Sequence, residues 1–203
     1  MSKVMIPFDV RGYREAINRA VREAYLELKG RMVGEQVYGY SVAMHPDGSN
    51  IRAYLQSEEG LDRVAQKYVD SGRYQVTKGD LFKTLRVDLR WNCADGWLLA
   101  SEASFAEVNE IIDRSFNSYW EEFSRSGCGE LVYLENMAAL VENRAAGVFA
   151  EEPNLVLNLY LGDQSDEDLL SWAKQVNEFE VFARYRKELK ERVRAYKRLV
   201  FVG

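Results

Sequence analysis

The chain is poor in the residues that most often carry chemistry. It has one histidine and two cysteines in 203 residues. A Ser-His-Asp triad would need His45 beside a nucleophile, yet His45 precedes Pro46-Asp47-Gly48, a turn signal that places it in solvent. Cys93, Cys128 and His45 cannot fill a four-ligand structural zinc site without carboxylates, so neither metal nor cofactor is expected. The G-x-x-x-x-G-K-[ST], G-x-G-x-x-G and G-x-S-x-G patterns do not occur, which lowers the odds of the common nucleotide-binding and hydrolase classes. Proline is scarce at three residues, against collagen-like or low-complexity chains. No apolar run approaches the roughly 20 residues of a membrane span, and no membrane contact is expected. Met1–Val10 does not read as a signal peptide, so a cytoplasmic protein with two reduced thiols is the expectation.

What the chain does contain is ordinary for a globular protein, with 47% hydrophobic and 29% charged residues. Its net charge of −5 is unevenly spread. Residues 1–101 balance at +2, residues 102–183 at −13 and residues 184–203 at +6. Such asymmetry concerns partners and association rather than fold.

Periodicity predicts a helix over Asp9 to Lys29, with Tyr13, Ile17, Ala20, Ala24 and Leu28 inward and Gly30 as its cap. Tyr38, Tyr40, Val42 and Met44 alternate, as do Ile51, Ala53 and Leu55 across the turn, and this reads as a hairpin. Ser57 is the N-cap of a second helix. Leu85, Val87, Leu89 and Trp91 alternate with charged residues and read as a half-exposed strand. A helix follows from Phe105 to Phe123, broken by Gly127-Cys128-Gly129, and Leu131, Leu134, Ala138 and Val141 begin another. Leu155–Leu161 is apolar on both faces and reads as a central strand. Ser165 and Asp168 form a capping box. The last helix carries Phe182, Tyr185, Leu189, Val193, Tyr196 and Leu199 at helical spacing, a stripe wide enough to dock on the core. Together these predict one α+β domain over residues 1–203, with a sheet of four or more, partly antiparallel strands packed against several helices.

Carboxylates are the only plentiful acid-base groups. Glu58-Glu59 and Asp166-Glu167-Asp168 lie in first helical turns, where the helix dipole accounts for them. Glu121, Glu122, Glu151 and Glu152 lie in the acidic segment, and Trp120 sits at the edge of a buried stripe, where it can anchor an interface. The C-terminal helix is basic, but Glu188 and Glu191 interrupt its cations and the acidic segment can absorb them. A solvated face is the favoured account, and nucleic acid is a disfavoured partner.

The segment Leu89-Arg90-Trp91-Asn92-Cys93-Ala94-Asp95-Gly96-Trp97, with Ser57-Glu58-Glu59-Gly60-Leu61 and Tyr38-Gly39-Tyr40, resembles a bacterial family catalogued only as a domain of unknown function. Its members show R-W and then A-D-x-W after an E-E-G-L helix start. Relatives occur in toxin-immunity neighbourhoods beside the SMI1/KNR4-like group, so the resemblance implies an inhibitor role and assigns no catalytic residue.

Three functional readings follow. The first is a non-enzymatic binding protein, of the immunity type, that occludes a basic protein partner such as a toxin through Trp120, Glu121, Glu122, Glu151 and Glu152. The second is an enzyme or small-molecule binder with a cleft around Arg90, Trp91, Asp95 and Trp97. The third is nucleic-acid binding through residues 184–203.

Overall fold

The structure, a computed structural model, describes residues 8–45, 50–92, 98–116, 128–161 and 164–202. The Asp9 side chain accepts a hydrogen bond from the Gly12 amide and opens helix α1 (Val10–Arg31). The inward stripe read from the sequence is buried, from Tyr13 to Leu28. The helix runs through Gly30, expected as its cap, and the left-handed residue is Gly34, at φ 81°, where a side chain would strain the turn.

Strands β1 (Val37–Met44) and β2 (Arg52–Ser57) pair antiparallel, with Tyr40 opposite Leu55. Ser57 then caps helix α2 (Glu58–Asp70) by accepting from the Gly60 amide at 2.9 Å. After β3 (Tyr74–Val76) the expected strand over Leu85–Trp91 is instead the end of helix α3 (Leu81–Leu89) and the turn after it. Asp80 caps α3 through the Lys83 amide, and Thr84, Leu85 and Leu89 are its buried residues. Leu85 and Leu89 satisfy both the two-residue and the four-residue period, and the cap together with packing against α2 and the helix over Phe179–Tyr196 decides for helix.

The rest of the chain forms β4 (Leu98–Leu99), a short 3-10 turn (Glu102–Phe105), α4 (Ala106–Phe116), α5 (Cys128–Ala145), β5 (Val156–Leu161), α6 (Asp166–Val176), α7 (Phe179–Tyr196) and β6 (Leu199–Phe201). The helix expected to reach Phe123 is described only to Phe116, and Gly129 lies inside α5 rather than in a break before it. The capping box of Ser165 and Asp168 opens α6 as read.

The fold is α+β. A mixed four-stranded sheet has the order β4-β2-β1-β5, with β5 parallel to β1 and the other pairs antiparallel, and β3 and β6 form a separate antiparallel pair. Helices cover both sheet faces. Tyr40, Val42, Leu55 and Leu157 pack with residues of α1, α4 and α5, while Tyr38 and Val156 pack with α2, α3, α6 and α7. Strand β5 is covered on both faces as expected, but it lies at the sheet edge, not the centre. Asn177 guards that edge: it accepts from the Leu157 amide at 2.8 Å and donates to the Leu157 carbonyl at 2.6 Å, taking the place of a neighbouring strand.

Helix α5 carries apolar residues on more than one side, Val132, Ala139 and Leu140 buried among them. Leu131, Leu134 and Val141, which share one side, are 37%, 48% and 44% exposed. Its buried side carries Val132, Leu140 and the polar residues Glu135, Asn136 and Asn143. Those polar groups are met from α1: the Tyr13 hydroxyl donates to Asn136 at 2.7 Å, Arg14 pairs with Glu135 at 2.6 Å and Asn143 donates to the Asn18 carbonyl at 3.0 Å. Satisfied hydrogen bonds make that burial tolerable. On α7, Tyr185 and Leu189 are buried as expected, but Val193 and Tyr196 are exposed, and the inward position of that turn is taken by Ala195.

Candidate functional site

Two surfaces carry the groups that sequence reasoning singled out. The first centres on Arg90, the residue that ends α3. Arg86 and Arg90 stand one helical turn apart and reach the same way. Glu58, the first residue of α2, receives both terminal nitrogens of Arg90 in a fork, one of them at 2.9 Å, and also pairs with Arg86. Arg86 also pairs with Asp62, and the Arg90 Nε donates to Glu188 of α7 at 3.2 Å. The Arg90 side chain is only 15% exposed. Burial opposes the charge on Glu58, but hydrogen bonds and charge from Arg90 and then Arg86 outweigh it and hold its carboxyl below the usual range.

Aromatic rings floor this network. The Arg90 guanidinium lies 4.2 Å from the centroid of Tyr38, whose hydroxyl donates to the Arg90 carbonyl at 2.9 Å. Trp91 meets Tyr38 and Tyr185 edge-on, at centroid distances of 5.2 and 4.7 Å. Burial pushes the Tyr38 hydroxyl well above its usual range, so it stays protonated. The fully buried Gln56 amide approaches that hydroxyl without completing a hydrogen bond of good geometry. Over the network opens a cleft of about 510 Å³, bordered by Arg86, Arg90, Glu58, Glu188 and Glu191. It offers charges of both signs, and Glu58 remains a carboxylate near neutrality rather than a proton donor.

Of the residues named for the second reading, Arg90 borders this cleft, and Trp91 is buried against Tyr38 and Tyr185 and is not among its lining residues. Asp95 and Trp97, and Cys93 between them and Trp91, lie outside the described residues. Sequence reasoning missed Glu58 and Glu188 as partners of Arg90. No local pattern marks them, because the Glu58 and Glu188 contacts span 32 and 98 positions.

The second surface belongs to the acidic segment. Glu151 is exposed and has no ion pair among the described residues. Glu152 is different: it pairs with Lys29 and is 20% exposed. It lines a pocket of about 320 Å³ with Arg144, Glu178 and Glu180. Trp120, Glu121 and Glu122 lie outside the described residues. The exposed apolar stripe of α5 sits in this same segment, flanked by exposed Glu130 and Glu142.

A family model described as a domain of unknown function (DUF4303) matches residues 17–178. The chain belongs to this family. The match contains Glu58, Arg86, Arg90 and all of α5, and ends ten residues before Glu188. An unknown-function family is what the resemblance implied at that level. No curated protein and no solved structure matches the chain. Among the described residues no helix is long and apolar enough to cross a membrane, and no group of three or more His, Cys, Asp and Glu could hold a metal ion.

Proposed function

We propose that this member of the DUF4303 family is a non-enzymatic binding protein of the immunity type, which covers a basic surface on a protein partner. One observation carries the reading: α5 turns Leu131, Leu134 and Val141 outward from within the most acidic segment of the chain. Protein interfaces combine an apolar centre with a polar rim, and a rim of one sign speeds and orients docking on the opposite sign. Glu130 on α5 and Glu151, further along the same acidic segment, are exposed and have no ion pair among the described residues. Trp120, Glu121 and Glu122 complete the proposed contact set, whereas Glu152 serves the fold through Lys29. The immunity character is the part suggested by the family resemblance alone.

The test uses the full chain as bait, wild type beside Leu134→Asp and the Glu130→Lys/Glu151→Lys pair, with bound proteins identified at low and high salt. The reading expects a basic partner that both variants lose and that salt weakens. Capture unaffected by both variants and by salt would overturn it.

The cleft over Arg90 supports a second reading, a small polar ligand held between Arg86 and the carboxylates of Glu58, Glu188 and Glu191. Calorimetric screening against zwitterionic and anionic metabolites tests it, with Arg86→Gln as the control. A screen without binders counts against it.

A further inference from the structure

The C-terminal basic run is arranged differently from its linear pattern. Glu188 and Glu191, which interrupt the cations in sequence, both turn toward the Arg90 cleft. Glu188 is engaged there by Arg90 and Arg184. Of the helix cations, Arg184 is tied to Glu188 and Arg192 to Asp166 at 3.6 Å. Lys187, Lys190, Arg194 and Lys197 follow one another at three- and four-residue steps on the side of α7 opposite its buried residues. All four are exposed, and none has an ion pair among the described residues.

This stripe runs into the β3–β6 pair. The Val202 amide donates to the Arg73 carbonyl and the Thr77 amide to the Arg198 carbonyl, so the exposed cations Arg73 and Arg198 flank the two strands. Rings are exposed beside them. Tyr196 is 69% exposed, and Phe201 is 63% exposed at the open end of a row in which Tyr68, Tyr74 and Phe201 lie 5.3 and 5.5 Å apart. Asp70 and Asp80, which flank β3 in sequence, accept from the Gln66 side chain and the Lys83 amide.

We infer that this end of the molecule is a binding surface for single-stranded nucleic acid, with phosphates along the α7 stripe and bases on Phe201 and Tyr196. Interleaved cations and exposed rings are what sequence-tolerant single-strand binding uses. An anionic membrane fits less well, because an interfacial helix must lay an apolar face into the lipid and α7 has spent that face, Val181, Tyr185 and Leu189, on the core. A duplex hides its bases from the rings. The acidic surface proposed above is a separate part of the chain, so the two ideas stand or fall independently.

The experiment is fluorescence anisotropy of the full chain with a labelled oligothymidylate of about 20 nucleotides, longer than the roughly 4–16 nucleotides such platforms cover. The same strand annealed to its complement and phosphatidylserine vesicles serve as rival probes. Single-strand binding is expected to weaken with salt at a log–log slope of about −3, since each of four phosphate contacts contributes about −0.7. Lys190→Gln/Arg194→Gln should flatten that slope by about 1.4. Phe201→Ala and Tyr196→Ala should each weaken single-strand binding about fivefold or more, and Glu151→Lys should leave it unreduced. No single-strand binding at low salt overturns the proposal. So does equal affinity for duplex with no effect of the ring substitutions, or binding to vesicles alone.

Discussion

Arg90 and Tyr38 are joined twice: the guanidinium sits over the phenol ring, and the phenol hydroxyl donates to the Arg90 main-chain carbonyl. One contact holds the side chain and the other holds the end of α3, so the arginine is locked between β1 and the carboxylates of α2 and α7.

Replacing Arg90 therefore leaves Glu58 half-buried with only Arg86 to answer it. Arg90→Leu should cost about 2–3 kcal/mol, below the roughly 3–5 of a fully buried pair because solvent still reaches the group. Arg90→Lys should recover only part of this, since a lysine cannot make the two-pronged contact. Urea denaturation of the three proteins checks the order, and a lysine variant as stable as wild type would refute it.

Acid should loosen the same corner. The Glu58 carboxyl lies below its ordinary value of 4.5 in the folded protein, and so does Glu35, held by Arg63 and Ser57. A depressed folded-state value means the stabilisation is complete above the unfolded value and is lost as pH falls through the folded one. Stability from these groups should be flat down to about pH 5 and decline below about pH 4.5. Glu58→Gln should be less stable near neutrality and lose less on acidification. Denaturation midpoints across that range decide it; parallel acid profiles for the two proteins would exclude the assignment.

Asn177 stands in for a strand beside β5. Asn177→Ala should strip partners from both main-chain groups of Leu157, at a cost of about 2 kcal/mol for the buried amide and carbonyl. The Leu157 amide should exchange with deuterated solvent much faster in the variant. Unchanged protection at that residue would mean the edge is covered in another way.

The orientation of α5 makes a paired prediction. Leu134→Asp alters an exposed position and should change stability by no more than about 0.5 kcal/mol. Leu140→Ala empties a fully buried one and should cost about 2–5 kcal/mol. Thermal and urea unfolding of both variants test this, and a reversed ranking would contradict the observed face.

Much of the local structure was legible in the chain. The stripe of α1, the hairpin of β1 and β2, the Ser57 cap and the Ser165–Asp168 box follow from side-chain period and short-range hydrogen bonding, and all are found. Misreadings arose where a local pattern admits two answers. Leu85 and Leu89 suit a strand or a helix, and only packing against α2 and α7 settles the choice. On α5 the spacing of Leu131, Leu134, Ala138 and Val141 marks a helix without fixing its inward face, and the other side is buried, where Asn136, Glu135 and Asn143 find partners on α1 more than a hundred positions earlier.

The candidate sites divide along the same line. By itself the sequence determined charge, period and capping: an acidic middle, a basic end and helices beginning at Asp9, Ser57 and Ser165, since these depend on neighbours a few residues apart. Tertiary structure alone decided that Arg90 meets Glu58 and Glu188, that α5 shows leucines to solvent, and that Lys187, Lys190, Arg194 and Lys197 face outward while Glu188 and Glu191 turn to the Arg90 cleft. Those outcomes depend on which distant surfaces satisfy one another's charge and hydrogen bonds, and no spacing along the chain encodes that.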